Sequence, residues 1–286
     1  MSLGADTTGI SLFITLLNIT PRSSKHMPGQ FLFTLSRPAI MEEQTDEIPD
    51  NVMQHIQLSG EQQTNIENIP QGTPEWIQAR KYRITASNFA AAAGWNKYKS
   101  RNELLKDLLW NTFKGNQATE WGSRHEPTAR QMYVDHMNSL IEKGESEYTA
   151  VKVRQTGLFI HENMPWLGAS PDGLVLGTTA SGKQEKFLLE IKCPFSKKFY
   201  SPAVPEYYMC QIQGIMALMN LPFCDFMVWL PGEFKISRVQ FDPNFWALMF
   251  PRLQDFYFEM YLPALQHQKQ GELEPGEIHP VIQLNV

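Results

Sequence analysis

Two short segments carry the residue types that could do chemistry: Ser170-Pro171-Asp172-Gly173, and Glu190-Ile191-Lys192 beginning eighteen residues after Asp172. In a strand, successive side chains point to opposite faces, so Glu190 and Lys192 share one face while Leu189 and Ile191 turn toward the core. A preceding hairpin strand can set Asp172 beside that face, where two carboxylates and an ammonium converge. Carboxylates with a backbone carbonyl are hard oxygen ligands suited to Mg2+ or Mn2+. A lysine next to them can orient an attacking water, help take its proton and steady the charge of a phosphoryl transition state. An Asp…Glu-x-Lys trio is also met on the charged outer face of an ordinary hairpin, so these residues alone leave both readings open.

The elements that must position the trio are legible along the chain. Thr73-Pro74-Glu75 before Trp76 and Ile77 supplies an N-cap, a first-turn proline and a first-turn acid, so order is expected to begin near Thr73. A second helix is expected from Thr85 or Ser87 to a stop at Gly94. Further helical patterns cover Arg101–Phe113 and Thr119–Met137. Alternation from Val151 to Ile160 predicts one strand. Asp172–Leu176 and Phe187–Ile191 predict a hairpin around Gly177–Gly182. A helix from about Pro205 to Met219 follows. Strands at Phe226–Leu230 and Phe234–Phe241, joined at Pro231-Gly232, and a helix from Pro243 to Gln268 complete the order. This is an α/β chain built around one sheet.

Further segments bear on the choice. Trp76-Ile77-Gln78-Ala79-Arg80 and Arg83-Ile84-Thr85-Ala86-Ser87 gather a Trp, basic groups and a hydroxyl around a helix start. Trp121-Gly122 with Glu126 adds a carboxylate on a helix, and Tyr208 precedes Gln211-Ile212-Gln213 on another. In order and spacing, W…R…ITAS, WG…E, SPDG, EIKCPF and QIQ resemble the YqaJ-type viral recombinase family, which is similar to phage lambda exonuclease within the PD-(D/E)xK nuclease superfamily. The resemblance covers about residues 73–268. It implies a restriction-endonuclease-like core, a central mixed β-sheet flanked by helices. It makes Asp172 and Glu190 metal ligands, with the Ile191 carbonyl a third. Lys192 becomes the catalytic lysine, and Glu126 the carboxylate that reaches a second Mg2+ or Mn2+. Arg80 and Ser87 would grip a terminal 5′-phosphate, Gln211 would position the attacking water or the scissile phosphate, and Arg83 and Tyr208 would lend support. The implied activity is a metal-dependent exonuclease running 5′ to 3′ on double-stranded DNA ends, in recombination or repair. A ring-shaped homotrimer and a single-strand-annealing partner are implied with it. An endonuclease or single-strand nuclease on the same fold, and a non-catalytic end-binding adaptor, are the alternatives, and the intact Asp172, Glu190 and Lys192 oppose the adaptor.

Composition bounds the rest. The 286 residues carry a net charge of −5, which gives no whole-chain support for nucleic-acid binding. The charge is uneven: residues 1–70 hold 3 Lys+Arg against 8 Asp+Glu, whereas residues 71–130 hold 10 against 5. Residues 1–70, acidic and then Gln/Asn-rich, read as a mostly disordered leader with short pieces of structure around Phe31–Leu35. Residues 71–270 read as the nuclease domain and 271–286 as a tail. Three Cys without a CxxC pair oppose a disulfide scaffold and a four-cysteine iron–sulfur or zinc site, and suggest a reducing, intracellular compartment. The apolar run Ile10–Ile19 has no basic residues before it, unlike a secretory signal, and no apolar run is long enough to span a membrane. Trp76, Trp121, Cys193 and the stripe Met209, Met216 and Met219 are expected to pack inside, His161 to be structural, and His125 to lie on the surface.

Overall fold

The computed structural model describes residues 50–111 and 115–277. The chain divides into two compact units, residues 1–53 and 54–286. Of the first, only the start of helix α1 (Asp50–Ile56) is described. The second unit takes in the end of α1 and then α2 (Gly60–Glu67), closed at its N-terminus by a Ser59–Gln62 capping box. Residues 54–70 are therefore structured, although their composition resembles a leader. Ile66 packs with Leu58 and Trp76 against Ala79, Leu158 and Ile160, and Gly157 N–H donates to the Glu67 carbonyl at 2.7 Å. A few apolar side chains at the right spacing outweigh a polar average. The pieces around Phe31–Leu35 and the end of the tail lie outside the described residues.

Helix α3 (Pro74–Ala79) starts at Thr73, whose side chain accepts from Trp76 N–H. Strand β1 (Ile84–Thr85) and a 3-10 turn (Ala86–Asn88) lead into α4 (Phe89–Ala92). Then come α5 (Arg101–Trp110) and the long α6 (Gln117–Glu142). Eight strands occur among the described residues, in two sheets rather than the expected one. Strands β1, β4 (Met164–Ala169) and β3 (Phe159–His161) form the smaller sheet in the order β1-β4-β3. The larger has the order β2 (Tyr148–Arg154), β5 (Gly173–Thr179), β6 (Gln184–Lys192), β7 (Phe223–Leu230) and β8 (Glu233–Gln240). Only β6 and β7 run parallel in it, and helix α7 (Glu206–Met219) makes the crossover between them. The expected strand Val151–Ile160 is thus two strands in different sheets. The break falls at Gly157, where an added Cβ would lie 2.3 Å from the Ile69 carbonyl oxygen and 2.4 Å from that of Ile66. There the backbone leaves the large sheet to dock against the chain after α2.

Strand β7 is buried at every position, as expected of a strand covered on both faces. On one face α6 lays Ala129, Tyr133 and Met137 over Val175, Phe187, Leu189, Ile191 and Met227. Tyr133 also donates to Asp225 Oδ2 at 2.8 Å, and Arg238 grips the same buried carboxylate in bidentate fashion at 2.8 and 3.1 Å. This anchors α6 to the sheet. On the other face α7 packs on α4 so closely that a Cβ on Gly214 would lie 2.3 Å from the Phe89 ring. The expected final helix is α8 (Pro243–Gln254), a π-helical segment (Asp255–Tyr261) and α9 (Leu262–Lys269). No described helix is long and apolar enough to cross a membrane.

Candidate active site

Strand β6 delivers the center of the site. Alternation sends Leu189 and Ile191 into the core under α6, and places Glu190 and Lys192 on the face toward α7. Lys192 Nζ lies 2.5 Å from Glu190 Oε1. From α7, Gln211 Nε2 donates to the same oxygen at 2.6 Å. Glu190 is 0% exposed, and its Oε2 is buried without a hydrogen-bond partner. Asp172, immediately before β5, accepts from Ile191 N–H through Oδ2 at 2.7 Å, which ties the loop carboxylate to the center of the Glu190-Ile191-Lys192 run. The hairpin β5–β6 makes this pairing possible, with Gly173 opposite Leu189.

Helix α6 brings Glu126 to the same place. Its carboxylate is paired with Arg130 one turn later, and Arg130 Nε donates to the Asp172 carbonyl at 3.0 Å. The carboxyls feel one another. Burial first, then the Asp172 charge, push Glu190 up to about 8 against the pull of Lys192. Burial and Asp172 likewise push Glu126 up to about 7, opposed by Arg130 and Lys192. Lys192 is raised because its carboxylate neighbors outweigh its own burial.

No three His, Cys, Asp or Glu side chains among the described residues already stand in ligating geometry. The donor chemistry nevertheless fits a hard divalent cation: a buried carboxylate oxygen lacking a partner lies among carboxyls that repel one another, beside the backbone of Ile191.

Arg80 and Ser87 come together through Thr85, which the sequence marks only as a possible helix start. Arg80 Nη2 donates to Thr85 Oγ1 at 2.9 Å, and that hydroxyl lies 3.4 Å from Ser87 Oγ. The Arg80 guanidinium lies 4.1 Å above the Trp76 ring, and burial lowers its pKa to about 10. Trp76 Nε1 donates to Ser170 Oγ at 3.0 Å, linking this cluster to the segment before Asp172. Arg83 stands apart. It is 2% exposed and donates to the carbonyls of Pro165, Ala79, His55 and Ile56. Its guanidinium is consumed in holding backbone together and does not reach the cluster. Tyr208 joins the site differently: Lys192 Nζ lies 4.8 Å from its ring centroid, and its hydroxyl lies 3.3 Å from that of Tyr200.

Arg130 was missed by sequence reasoning, and its signal was the four-residue spacing from Glu126 on one helix face. His125 is not simply on the surface. Its ring lies 4.0 Å from that of Trp121 and stacks at 5.0 Å on Trp229, because it sits on the edge of α6 that meets the sheet. His161 is half-buried, and burial lowers its pKa. Cys193 is buried, as is Met216, whereas Met209 and Met219 are only half-buried.

The chain is similar to known proteins in sequence and in fold. The model of the YqaJ-like viral recombinase domain matches residues 75–221. An alkaline exonuclease from Laribacter hongkongensis is similar in structure, with a TM-score of 0.53, 30% identity, and coverage of 70% of this chain and 98% of that one. The same exonuclease in complex with dAMP gives a TM-score of 0.53 at 29% identity, covering 71% and 100%. A protein of Acanthamoeba polyphaga mimivirus is 27% identical over 57% of this chain and 30% of its own length. One of African swine fever virus is 28% identical over 59% and 51%. The chain therefore spans about a third to about half of the length of these viral relatives. The match through the Trp76, Asp172, Glu190 and Gln211 segments, on a fold shared with a solved exonuclease at 30% identity, places the chain in the YqaJ-like viral recombinase domain family.

Proposed function

We propose that the chain is a metal-dependent DNA exonuclease that degrades duplex ends from 5′ to 3′. The observation that carries this reading is the convergence of Asp172, Glu190, Lys192 and Gln211 at one end of the β5–β6 hairpin. A similar exonuclease has been crystallised with dAMP, a deoxynucleoside monophosphate of the kind an exonuclease releases. Asp172, Glu190, the Ile191 carbonyl and Glu126 would hold two Mg2+ or Mn2+ ions, and these would neutralise the carboxylates and polarise the phosphodiester.

The chain's own residues have separable tasks. Glu190 fixes the Lys192 ammonium where charge gathers on the phosphoryl oxygens. Gln211 donates to the same Glu190 oxygen that pairs with Lys192, and its task is to orient the attacking water. Arg130 sets the Asp172 backbone and the Glu126 carboxylate relative to each other. Arg80, Thr85 and Ser87 offer a guanidinium and two hydroxyls to a terminal phosphate. A homotrimer around the duplex and a single-strand-annealing partner belong to the same reading.

The test is digestion of end-labelled linear duplex, with 5′-phosphate or 5′-hydroxyl ends, beside a covalently closed circle. Mononucleotide release from the linear duplex in Mg2+, its arrest by EDTA and an intact circle are expected. Undiminished cleavage in EDTA would overturn the metal-dependent reading, and cutting of the circle would replace the exonuclease with an endonuclease.

A further inference from the structure

The turn between α4 and α5 holds Trp95-Asn96-Lys97-Tyr98-Lys99, and Tyr98 is 70% exposed. This ring is not a loose surface side chain. Tyr98 N–H donates to Asn96 Oδ1 at 2.9 Å, which fixes its backbone. Its ring meets Tyr207 of α7 edge to face at 5.5 Å. Tyr207 tilts on Tyr208 at 4.4 Å, and Tyr208 faces the Lys192 ammonium at 4.8 Å. Two ring contacts and one cation–π contact thus lead from Lys192 to an exposed ring. Lys97 Nζ lies 5.0 Å over the same ring, setting a cation beside it.

We infer that Tyr98 is a stacking platform for a base of the DNA strand being cut, with Lys97 beside it for the neighboring phosphate. The inference rests on the nuclease reading above and extends it with a specificity-determining residue. An exposed ring held by an aromatic neighbor offers a π-face that any base can use, and a lysine alongside supplies the counter-charge of the backbone. Together these are the two parts of sequence-tolerant single-strand binding. The platform holds a base that has left the duplex end, on the chain of rings that leads to Lys192. Tyr98 touches neither the carboxylates nor Lys192, so its contribution belongs to strand affinity and not to the chemical step.

The experiment uses the full chain with a 5′-phosphorylated duplex bearing 2-aminopurine at successive positions from the end, in Ca2+ for binding and in Mg2+ for single turnover. In wild type, fluorescence at one position should be quenched by stacking. Tyr98→Ala should abolish that quench and weaken binding by about tenfold, the scale of one lost base stack, with the saturating single-turnover rate unchanged. Tyr98→Phe, which keeps the ring, should restore both, a rescue that a merely structural role of the hydroxyl would not give. A wild type that binds and cuts DNA, with Tyr98→Ala matching its quench and affinity, would overturn the platform and leave the nuclease reading standing. A wild type that binds no DNA would overturn both.

Discussion

Replacing Lys192 by alanine separates the electrostatics of the site from its chemistry. Its ammonium lies 2.5 Å from Glu190 Oε1, and Glu190 has no solvent exposure. Two unit charges at such a distance attract by roughly 7 kcal/mol at an effective dielectric of about 20. Removing one member of a buried pair typically costs about 3–5 kcal/mol, because the other is left without a partner. Glu190 can escape that cost by taking a proton, and burial and Asp172 already raise its carboxyl from 4.5 to about 8. Without Lys192 it rises further. A carboxyl raised in the folded state contributes stability that is intact below its unfolded pKa and is lost as pH climbs through the folded one. In metal-free wild type the Glu190 share therefore declines between pH 4.5 and about 8 and then levels, by at most ~1.4 kcal/mol per pH unit. In Lys192→Ala the decline continues beyond that point. The stability difference between the two proteins should accordingly be larger at pH 9 than at pH 7, by roughly 1 kcal/mol. Denaturant unfolding in EDTA at the two pH values measures it. In Mg2+, the single-turnover rate should fall about 10²–10³-fold, the loss expected for one transition-state charge partner, with DNA affinity little changed. A pH-independent stability difference would refute the ionic coupling. A collapse of affinity with the rate intact would make Lys192 a residue that binds the DNA backbone.

Asp172→Asn should remove most cleavage yet leave the metal-free protein at least as stable at pH 8, since the Asp172 charge raises both Glu190 and Glu126; thermal melts beside a nuclease assay decide this. Arg80→Ala should lose the preference for 5′-phosphate over 5′-hydroxyl ends while keeping Mg2+-dependent cutting, as competition between the two labelled duplexes would reveal. Arg83→Met leaves four carbonyls without their donor and should destabilise the fold by about 3 kcal/mol or more. The salt dependence of DNA binding should not change in that variant, because Arg83 is buried away from any phosphate.

The trio was readable because its geometry is local. A period of two puts Glu190 and Lys192 on one face, and a hairpin is the shortest way to return Asp172 to it. Most helix starts were readable for the same reason, since Thr73 caps its helix with its own side chain. Arg130 was not, because its meaning lies in a carbonyl 42 residues away. Arg83 was ambiguous for a related reason: an arginine bound to four carbonyls and one bound to a phosphate have the same sequence signature. The alternation across residues 151–160 concealed a change of sheet because period two specifies a face and not a partner. The polar average of residues 54–70 concealed a helix for which Leu58 and Ile66 suffice as anchors.

The short parallel pairing of β1 with β4 sets Thr85 opposite Gly168, four residues before Asp172. Trp76 adds a second tie, to Ser170. On the proposed reading, the grip on the strand's end and the cutting center are two marks on one brief length of backbone, and together they make a ruler. The size of each piece released is then set by covalent geometry, whereas the excess of Lys and Arg in residues 71–130 sets how quickly strands arrive. Neutralising those residues away from the site would change the pace of digestion. Only a change in the number of residues between Gly168 and Asp172 would change its step.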